Sequence, residues 1–207
     1  MLREFNKIQD QLSRELPGLE AQMKMAPIVR EQLNFNVPQQ KAAVMVLLFS
    51  KNDNLHTILI KRNEYDGPHS GQISLPGGKY EHEDFDLSAT SLRETAEETG
   101  IDPSEIHMIG RLTTLEIPVS NFEVHPFVGC MDYKPDFHPD PTEVEYLIET
   151  DLNILISPEI RKTKIMNIGE YMIELPYYDY LGHHIWGATA MMLSEFLEVL
   201  KMAGTKY

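Results

Sequence analysis

The feature that most constrains the fold is a glycine turn that precedes a helix rich in carboxylates. The turn is Leu75-Pro76-Gly77-Gly78, and fifteen residues later comes the run Arg93-Glu94-Thr95-Ala96-Glu97-Glu98-Thr99-Gly100-Ile101. Each residue advances a helix by about 100°, so positions i, i+3 and i+4 share one face. Glu94, Glu97 and Glu98 are therefore predicted to project within about one quadrant.

These three carboxylates predict a cation site on the helix. Like charges this close repel one another and disfavour their own helix. Mg²⁺ or Mn²⁺, which prefer hard oxygen ligands, would neutralise them. A solvated acidic face is the alternative interpretation of Glu-x-x-Glu-Glu alone, and the flanking glycines favour the metal site. The opposite, apolar face of the helix is predicted to consist of Phe85, Ala89, Leu92 and Ala96.

Composition and charge limit the classes of function. The chain has 207 residues, 42% of them apolar, which is enough for a substantial core. Its net charge of −14 opposes long polyanions, so no nucleic acid is expected as a partner. No stretch approaches the ~20 apolar residues that span a bilayer, so no membrane association is expected. The N-terminus shows no secretory signal and Cys130 is the single cysteine, which favours a cytoplasmic location.

The hydrophobic pattern predicts an α/β domain with helices on both sides of a mixed sheet. An almost continuous apolar run over 42–49 is typical of a central strand, and residues 57–62 return as a second strand. A first helix is predicted to end at Pro17-Gly18, with loosely structured chain over 19–41. Further strands are predicted at 72–75, 106–112 and 123–131, strands or turns over 144–175, and a closing helix of about sixteen residues around 192–200.

The turn and helix resemble the signature of the Nudix hydrolase family, in which a glycine and a loop precede Arg-Glu-x-x-Glu-Glu-x-Gly-aliphatic. Asp84 stands where that signature has a glutamate, and the interval from Phe85 to Leu92 is one residue longer than its general form. Asp86 is expected to cap the helix. The resemblance implies a Nudix-type α/β/α sandwich over 36–207, an N-terminal helical extension over 1–35, and a homodimer as a possible assembly.

The resemblance also implies metal-dependent cleavage of a phosphoanhydride. Glu94, Glu97 and Glu98 would serve as catalytic metal ligands, with the carbonyl of Gly78 as a further oxygen. Arg93 either pairs with a helix glutamate and holds it in place, which matches the family role better, or contacts phosphate.

The general base stays open at this point. A helix glutamate could serve, or a loop carboxylate, Glu143 or Glu145. Ordinary surface charge is the alternative for the loop pair, and we assign Glu143 as the catalytic candidate.

A second resemblance, to coenzyme A pyrophosphatases, rests on the segment upstream of the turn. Residues 58–62 and 69–78 are similar to that branch's pattern, with departures at Ile60, at Leu75 and, between the two segments, at Asn63. The main difference is Gly67, which stands where the branch carries a second arginine. Similarity extends to residues 83–94, 117–127 and 185–190. The resemblance implies cleavage of coenzyme A or acyl-CoA to 3′,5′-ADP and a 4′-phosphopantetheine product. The candidate substrate-binding residues are Arg62, His69, Gln72 and Lys79, of which Lys79 is alternatively a solvated lysine.

Two other functions stay open. The Gly67 difference admits a pyrophosphatase for ADP-ribose or a dinucleotide, which would also be a small nucleotide-derived substrate. A Nudix-fold sensor that binds a nucleotide without turnover belongs to a different class. Such a sensor would be expected to lose metal carboxylates, whereas all three are retained.

Overall fold

Two β-sheets and the helices that cover them are described in a computed structural model over residues 2–28, 40–64, 70–117, 120–168 and 171–206. The strands are β1 (Gln40–Lys51), β2 (Asn54–Arg62), β3 (Ile73–Ser74), β4 (Gly77–Lys79), β5 (His107–Arg111), β6 (Leu115–Ile117), β7 (Phe122–Cys130), β8 (Val144–Asp151), β9 (Arg161–Ile168), β10 (Tyr171–Tyr180) and β11 (His183–Trp186). The helices are α1 (Leu2–Leu12), α2 (Gly18–Met23), α3 (Leu87–Thr99), α4 (Leu152–Leu155) and α5 (Gly187–Met202), with 3₁₀ turns at Pro103–Glu105 and Pro158–Ile160.

Strand β1 is the centre of the larger sheet, as its apolar run predicts. It pairs antiparallel with β2 and β4 and parallel with β7, so the sheet is mixed. The order along the sheet is β3-β2-β1-β7-β5, with β6 paired to β7 and β8 to β2. Strands β9, β10 and β11 form a second, three-stranded sheet. Both faces of β1 are buried, because alternate side chains enter two different apolar clusters.

Helices cover both faces of the larger sheet. Helix α3 packs against β1 and β4 on the face where Met45, Leu47 and Phe49 are buried. Helices α1 and α5 share the cluster on the other face with Val46 and Leu48. The predicted α/β/α sandwich with a mixed sheet is therefore confirmed. Across the described parts of the chain, no helix is both long and apolar enough to cross a bilayer.

The face of α3 that packs on the sheet differs from the predicted one. Phe85 is 94% exposed, and the buried helix residues are Thr90, Ser91, Thr95, Glu98 and Thr99. The hydroxyl groups of Thr95 and Thr99 donate to the carbonyls of Ser91 and Thr95 one turn earlier. Since these hydroxyls are satisfied within the helix, burying them costs little. The predicted apolar face was therefore wrong at Phe85, which precedes the cap Asp86 and is exposed, whereas Leu92 packs partly buried against the sheet cluster.

The segment predicted to be loosely structured over 19–41 contains a helix. Helix α2 occupies Gly18–Met23 and packs against α5. Its six residues are too few to show a clear helical period in the sequence. Residues 29–39 lie outside the described part of the chain.

A buried carboxylate joins the N-terminal helices to the rest of the protein. Glu195 of α5 is fully buried, and it accepts hydrogen bonds from the backbone N–H of Gly18 (3.2 Å) and from Nε2 of Gln22 (2.7 Å). It also accepts from the backbone N–H (3.2 Å) and the hydroxyl (2.7 Å) of Thr113. One side chain thereby ties together α2, α5 and the segment between β5 and β6.

Truncating this anchor should destabilise the protein. We expect Glu195→Ala to lower the free energy of unfolding by about 2–4 kcal/mol, because four groups that donate to the carboxylate would lose their acceptor. Urea denaturation measures this loss, and limited proteolysis should show faster cleavage within residues 2–28. Glu198→Ala, which removes a partly exposed glutamate of the same helix, is the matched control. Equal losses in the two variants would contradict the anchoring role.

Candidate metal and active site

Gly77 and Gly78 bring strand β4 into close contact with β1 and α3. Gly77 has φ +148°, and a Cβ there would lie 2.4 Å from the carbonyl oxygen of Ala43. A Cβ on Gly78 would lie 2.3 Å from Oε2 of Glu94. At Gly77 the close atoms are backbone and φ is positive, so that position requires glycine, whereas a side chain at Gly78 would displace the Glu94 carboxylate. The carboxylate of Glu94 therefore rests directly against the backbone of the turn.

The ends of α3 are fixed by the residues that the sequence indicates. The side chain of Asp86 accepts a hydrogen bond from the N–H of Ala89 at 2.9 Å and caps the first turn. Gly100 adopts φ +73°, and its N–H donates to the carbonyl of Ala96 at 2.8 Å. These caps fix where the helix begins and ends.

The three glutamates share one side of α3 but differ in burial. The side chain of Glu98 is 1% exposed, that of Glu94 14% and that of Glu97 51%. The predicted quadrant therefore runs from the protein interior to solvent. An ion held there would be reached from the Glu97 side.

Arg93 holds the carboxylates of the loop and the helix together. Its Nε and Nη2 donate to the two oxygens of Asp84 at 2.9 and 3.1 Å. Its Nη1 lies 2.9 Å from Oε1 of Glu94 and 2.9 Å from Oε2 of Glu97. Nη2 also donates to the carbonyl of Lys79 at 3.1 Å. This geometry agrees with the interpretation of Arg93 as a residue that holds glutamates in place, and it adds Asp84 as a partner.

Arg62 lies against Glu98. Its Nη2 is 3.1 Å from Oε1 of Glu98 and donates to the carbonyl of Gly77 at 2.9 Å. The N–H of Gly77 donates to Oε2 of Glu98 at 2.8 Å. Arg62 thus holds one member of the carboxylate cluster, which consists of Glu94, Glu97 and Glu98. Its assignment to substrate binding stays a prediction.

Burial and crowding disfavour the charged forms of the inner glutamates. Burial raises the pKa of Glu98 to about 8, although the Arg62 charge and the Gly77 N–H oppose the rise. Burial likewise raises the pKa of Glu94, against the opposing effect of Arg93. The negative charge of Glu143 contributes to the rise in both glutamates, as does the repulsion of Glu94 on Glu98. The charge of Glu143 therefore acts on the same cluster.

The oxygens of Glu94, Glu97 and Glu98 and the carbonyl of Gly78 are the kind of ligands that a hard divalent cation prefers. Carboxylate oxygens whose pKa values are raised by burial and mutual repulsion would be relieved by a cation. As the side chains stand in the described residues, no group of three or more Asp, Glu, His or Cys side chains is arranged to hold an ion. Arg62 and Arg93 contact the oxygens instead, so binding requires the glutamates to exchange guanidinium contacts for the ion.

The other residues predicted for substrate binding or catalysis lie beside Arg93, beside Arg62, in the loop before β8, or outside the described part of the chain. Lys79 is exposed beside Arg93, and the carbonyl of Gln72 accepts from the N–H of Arg62 at 3.0 Å. Glu143 lies in the loop before β8, where its carbonyl accepts from the N–H of Asn63 at 3.2 Å. His69 and Gly67 lie outside the described residues.

Sequence reasoning assigned no role to Asp84, which pairs with Arg93, or to Asn63. The signal for Asp84 was its place in the signature, six residues after Gly78.

The raised pKa of Glu98 predicts how stability depends on pH. A carboxyl with pKa about 8 in the folded protein and 4.5 in the unfolded chain keeps its proton only when folded between these values. Without metal, stability should therefore fall as pH rises from about 4.5 to about 8, by on the order of 2–4 kcal/mol. Urea denaturation at pH 5 and 8.5 with a chelator measures the difference. In Glu98→Gln the difference should shrink, and parallel pH profiles would contradict the assignment.

The comparisons with known proteins agree with this geometry. A family model described as NUDIX domain matches residues 39–174. The chain belongs to the Nudix family. The match includes the glycine turn, α3 and the loop of Glu143.

Several Nudix relatives are similar along most of this chain. Nudix hydrolase 15, mitochondrial, of Arabidopsis thaliana is 36% identical over 183 residues, which is 83% of this chain and 62% of that protein. Nudix hydrolase 22, chloroplastic, of the same plant is 35% identical over 162 residues, 74% of this chain and 53% of that protein. The uncharacterized Nudix hydrolase NudL of Yersinia pestis is 30% identical over 161 residues, 77% of this chain and 79% of that protein. The chain thus spans less than two thirds of either Arabidopsis relative.

Solved structures support the fold. The MutT protein from Methanosarcina mazei Go1 superposes with a TM-score of 0.52 at 19% identity, covering 84% of this chain and 100% of that one. The Nudix hydrolase RenU from M. smegmatis gives a TM-score of 0.52 at 8% identity, covering 83% and 90%. At these identities the likeness concerns the fold alone, and it agrees with the α/β/α sandwich.

Proposed function

We propose that this Nudix protein is a metal-dependent pyrophosphohydrolase that cleaves a phosphoanhydride bond in a nucleoside diphosphate derivative. The observation that carries the proposal is the pair of carboxylates, Glu98 buried and Glu94 partly buried, set against the Gly77-Gly78 turn with raised pKa values. Phosphoryl transfer depends chiefly on positioning and on neutralising charge at the phosphoryl oxygens. An acidic cluster that accepts a cation supports that chemistry.

The chain's own residues divide the work of the proposed reaction. Glu94, Glu97 and Glu98, with the carbonyl of Gly78, would hold Mg²⁺ or Mn²⁺. When bound, the ion supplies charge neutralisation for the phosphoryl oxygens and lowers the pKa of water. Arg93, on α3 itself, keeps Glu94 and Glu97 in position, while Arg62 of β2 does the same for Glu98.

Glu143 is the general base in this proposal. It would accept a proton from the attacking water as the oxygen of that water bonds to phosphorus and the anhydride oxygen leaves with its phosphate. The support is that the carbonyl of Glu143 accepts from the N–H of Asn63, next to Arg62, which contacts Glu98. The charge of Glu143 also raises the pKa of both Glu94 and Glu98. Glu145 and the helix glutamates are the alternatives.

For the substrate, we propose coenzyme A or an acyl-CoA, split into 3′,5′-ADP and a 4′-phosphopantetheine product. The support is the resemblance of residues 58–62 and 70–78 to coenzyme A pyrophosphatases, with Arg62, Gln72 and Lys79 as candidate contacts. ADP-ribose or a dinucleotide is the alternative because Gly67 replaces an arginine of that branch. A nucleotide sensor is less well supported, since all three helix glutamates are retained.

A cytoplasmic location is a further proposal, supported by the single cysteine, Cys130, which is a buried free thiol as suits a reducing compartment. Burial, helped by the charge of Asp132, raises the pKa of the Cys130 thiol to about 11, so this thiol stays protonated and unreactive. A homodimer stays a prediction.

A substrate panel tests the proposed function. Purified protein is incubated with Mg²⁺ or Mn²⁺ and coenzyme A, acetyl-CoA, ADP-ribose, NADH or diadenosine polyphosphates, and the products are separated by chromatography. We expect turnover of coenzyme A that stops when the metal is chelated. Preference for ADP-ribose would overturn the substrate while the reaction type stands. Nucleotide binding without turnover of any compound would favour the sensor.

A further inference from the structure

Asn63, directly after strand β2, joins three segments of the chain beside the candidate site. Its backbone N–H donates to the carbonyl of Glu143 at 3.2 Å, and its side-chain Nδ2 donates to the carbonyl of Pro141 at 3.0 Å. Its own carbonyl accepts from the N–H of Gly71 at 3.2 Å. The neighbouring Arg62 contacts Glu98. Asn63 therefore connects the loop of Glu143 to the strand that supports the buried glutamate.

The loop of Glu143 is a turn that is ordered by its own hydrogen bonds. Oδ1 of Asp140 accepts from the N–H of Thr142 at 2.8 Å and from its hydroxyl at 2.7 Å. The carbonyl of Asp140 accepts from the N–H of Glu143 at 3.2 Å and from that of Val144 at 2.9 Å. These bonds close the turn within itself and leave its placement relative to the site to contacts with other segments. Its contacts with neighbouring segments then decide where Glu143 lies.

The regular sheet ladder does not fix that position by itself. Lys61 pairs with Tyr146 and Arg62 pairs with Val144, so the register between β2 and β8 shifts by one residue. The extra residue, Glu145, forms a bulge that bends the strand next to the site. The contacts of Asn63 come immediately beyond this bulge. They hold the turn at the point where the ladder has lost its regular register.

We propose that Asn63 is a positioning residue whose side-chain amide fixes the loop of Glu143 against the carboxylate cluster. The inference rests on the proposed function, in which Glu143 is the base. A base must be held within hydrogen-bond reach of its proton, and small displacements lower the rate steeply. An amide at position 63 supplies a donor for the Pro141 carbonyl that alanine cannot supply.

Hydrogen exchange tests the placement independently of activity. In Asn63→Ala we expect the amides of Thr142, Glu143 and Val144 to exchange about tenfold faster than in the wild type. Asn63→Asp, which keeps the shape but lacks the donor, should behave similarly. Asn54→Ala is the matched control, because Asn54 donates to Asp151 at 2.9 Å at the opposite end of the β2–β8 pair. Unchanged exchange in both Asn63 variants would overturn the proposal.

Steady-state kinetics test whether the placement of Glu143 by Asn63 affects the rate of the reaction. Asn63→Ala should lower kcat about tenfold, with KM and the melting temperature close to those of the wild type. In a Glu143→Gln background the same change should lower kcat less than twofold, since there is no base left to position. Full additivity, or faster exchange with unchanged kcat, would overturn the positioning role. If Glu143→Gln itself leaves kcat unchanged, the proposed base is wrong and the positioning role falls with it, whereas the exchange result separately reports the loop contact.

Discussion

Glu98→Gln should lower kcat for the preferred nucleotide substrate by about 1,000-fold or more. Glutamine has nearly the same shape as glutamate but lacks its negative charge, and its amide nitrogen cannot bind a cation. Removing one group that stabilises charge in a transition state typically lowers kcat about 100- to 1,000-fold. Loss of a metal ligand also weakens binding of the ion. Steady-state kinetics at saturating Mg²⁺ measure the effect.

The variant can be distinguished from an unfolded protein by its stability. Because the carboxyl of Glu98 keeps its proton when folded at neutral pH, a neutral glutamine should be tolerated without metal. Glu83→Gln, which changes an exposed loop glutamate, is the control and should keep full activity. A folded Glu98→Gln variant with kcat within tenfold of the wild type would contradict a role for Glu98 in metal binding.

Arg93→Ala should destabilise the protein strongly, lowering the free energy of unfolding by about 3 kcal/mol. The variant leaves Asp84 buried without the two hydrogen bonds that it accepts from the guanidinium. It also removes the cation between Glu94 and Glu97, so these carboxylates repel each other more strongly. Urea denaturation at pH 7 measures the loss. Arg93→Lys, which keeps the charge but not the two-pronged contact, should lie between the alanine variant and the wild type.

The ion pair between Arg93 and Asp84 also predicts how the stability of the protein changes at acid pH. Hydrogen bonds from Arg93 lower the pKa of Asp84 from 3.8 to about 2. A lowered folded pKa stabilises the protein above 3.8, and the contribution is lost as pH falls towards 2. Arg93→Ala should lose this part of the acid transition, whereas Arg111→Ala, an exposed arginine of β5, should keep it. If Arg93→Ala lowered the free energy of unfolding by less than about 1 kcal/mol at pH 7, the role of Arg93 in holding the site together would be contradicted.

Local chemistry allowed much of the fold and site to be predicted. The apolar run over 42–49 indicated the central strand, and Asp86 and Gly100 indicated the ends of α3, because capping depends on residues adjacent in sequence. The helical period placed Glu94, Glu97 and Glu98 on one side of α3. These features need no knowledge of distant contacts.

The parts that escaped prediction depend on residues far apart in the chain. Arg62 meets Glu98 only because β2 and α3 pack around the glycine turn, and Glu195 meets Gln22 across nearly the whole chain. The helix face was mispredicted because Thr95 and Thr99 satisfy their own hydroxyls, which makes polar residues suitable for burial. Periodicity counts these threonines as polar and assigns them to the wrong side.

Binding of Mn²⁺, followed by the loss of the free-ion signal in electron paramagnetic resonance, tests the central claim most directly. The wild-type protein should take up Mn²⁺ at pH 8, and binding should weaken at least tenfold in Glu94→Gln and in Glu98→Gln. Glu20→Gln, on the exposed surface of α2, should bind as the wild type does. Equal Mn²⁺ uptake by all four proteins, or none by the wild type even with nucleotide present, would contradict a cation site on α3.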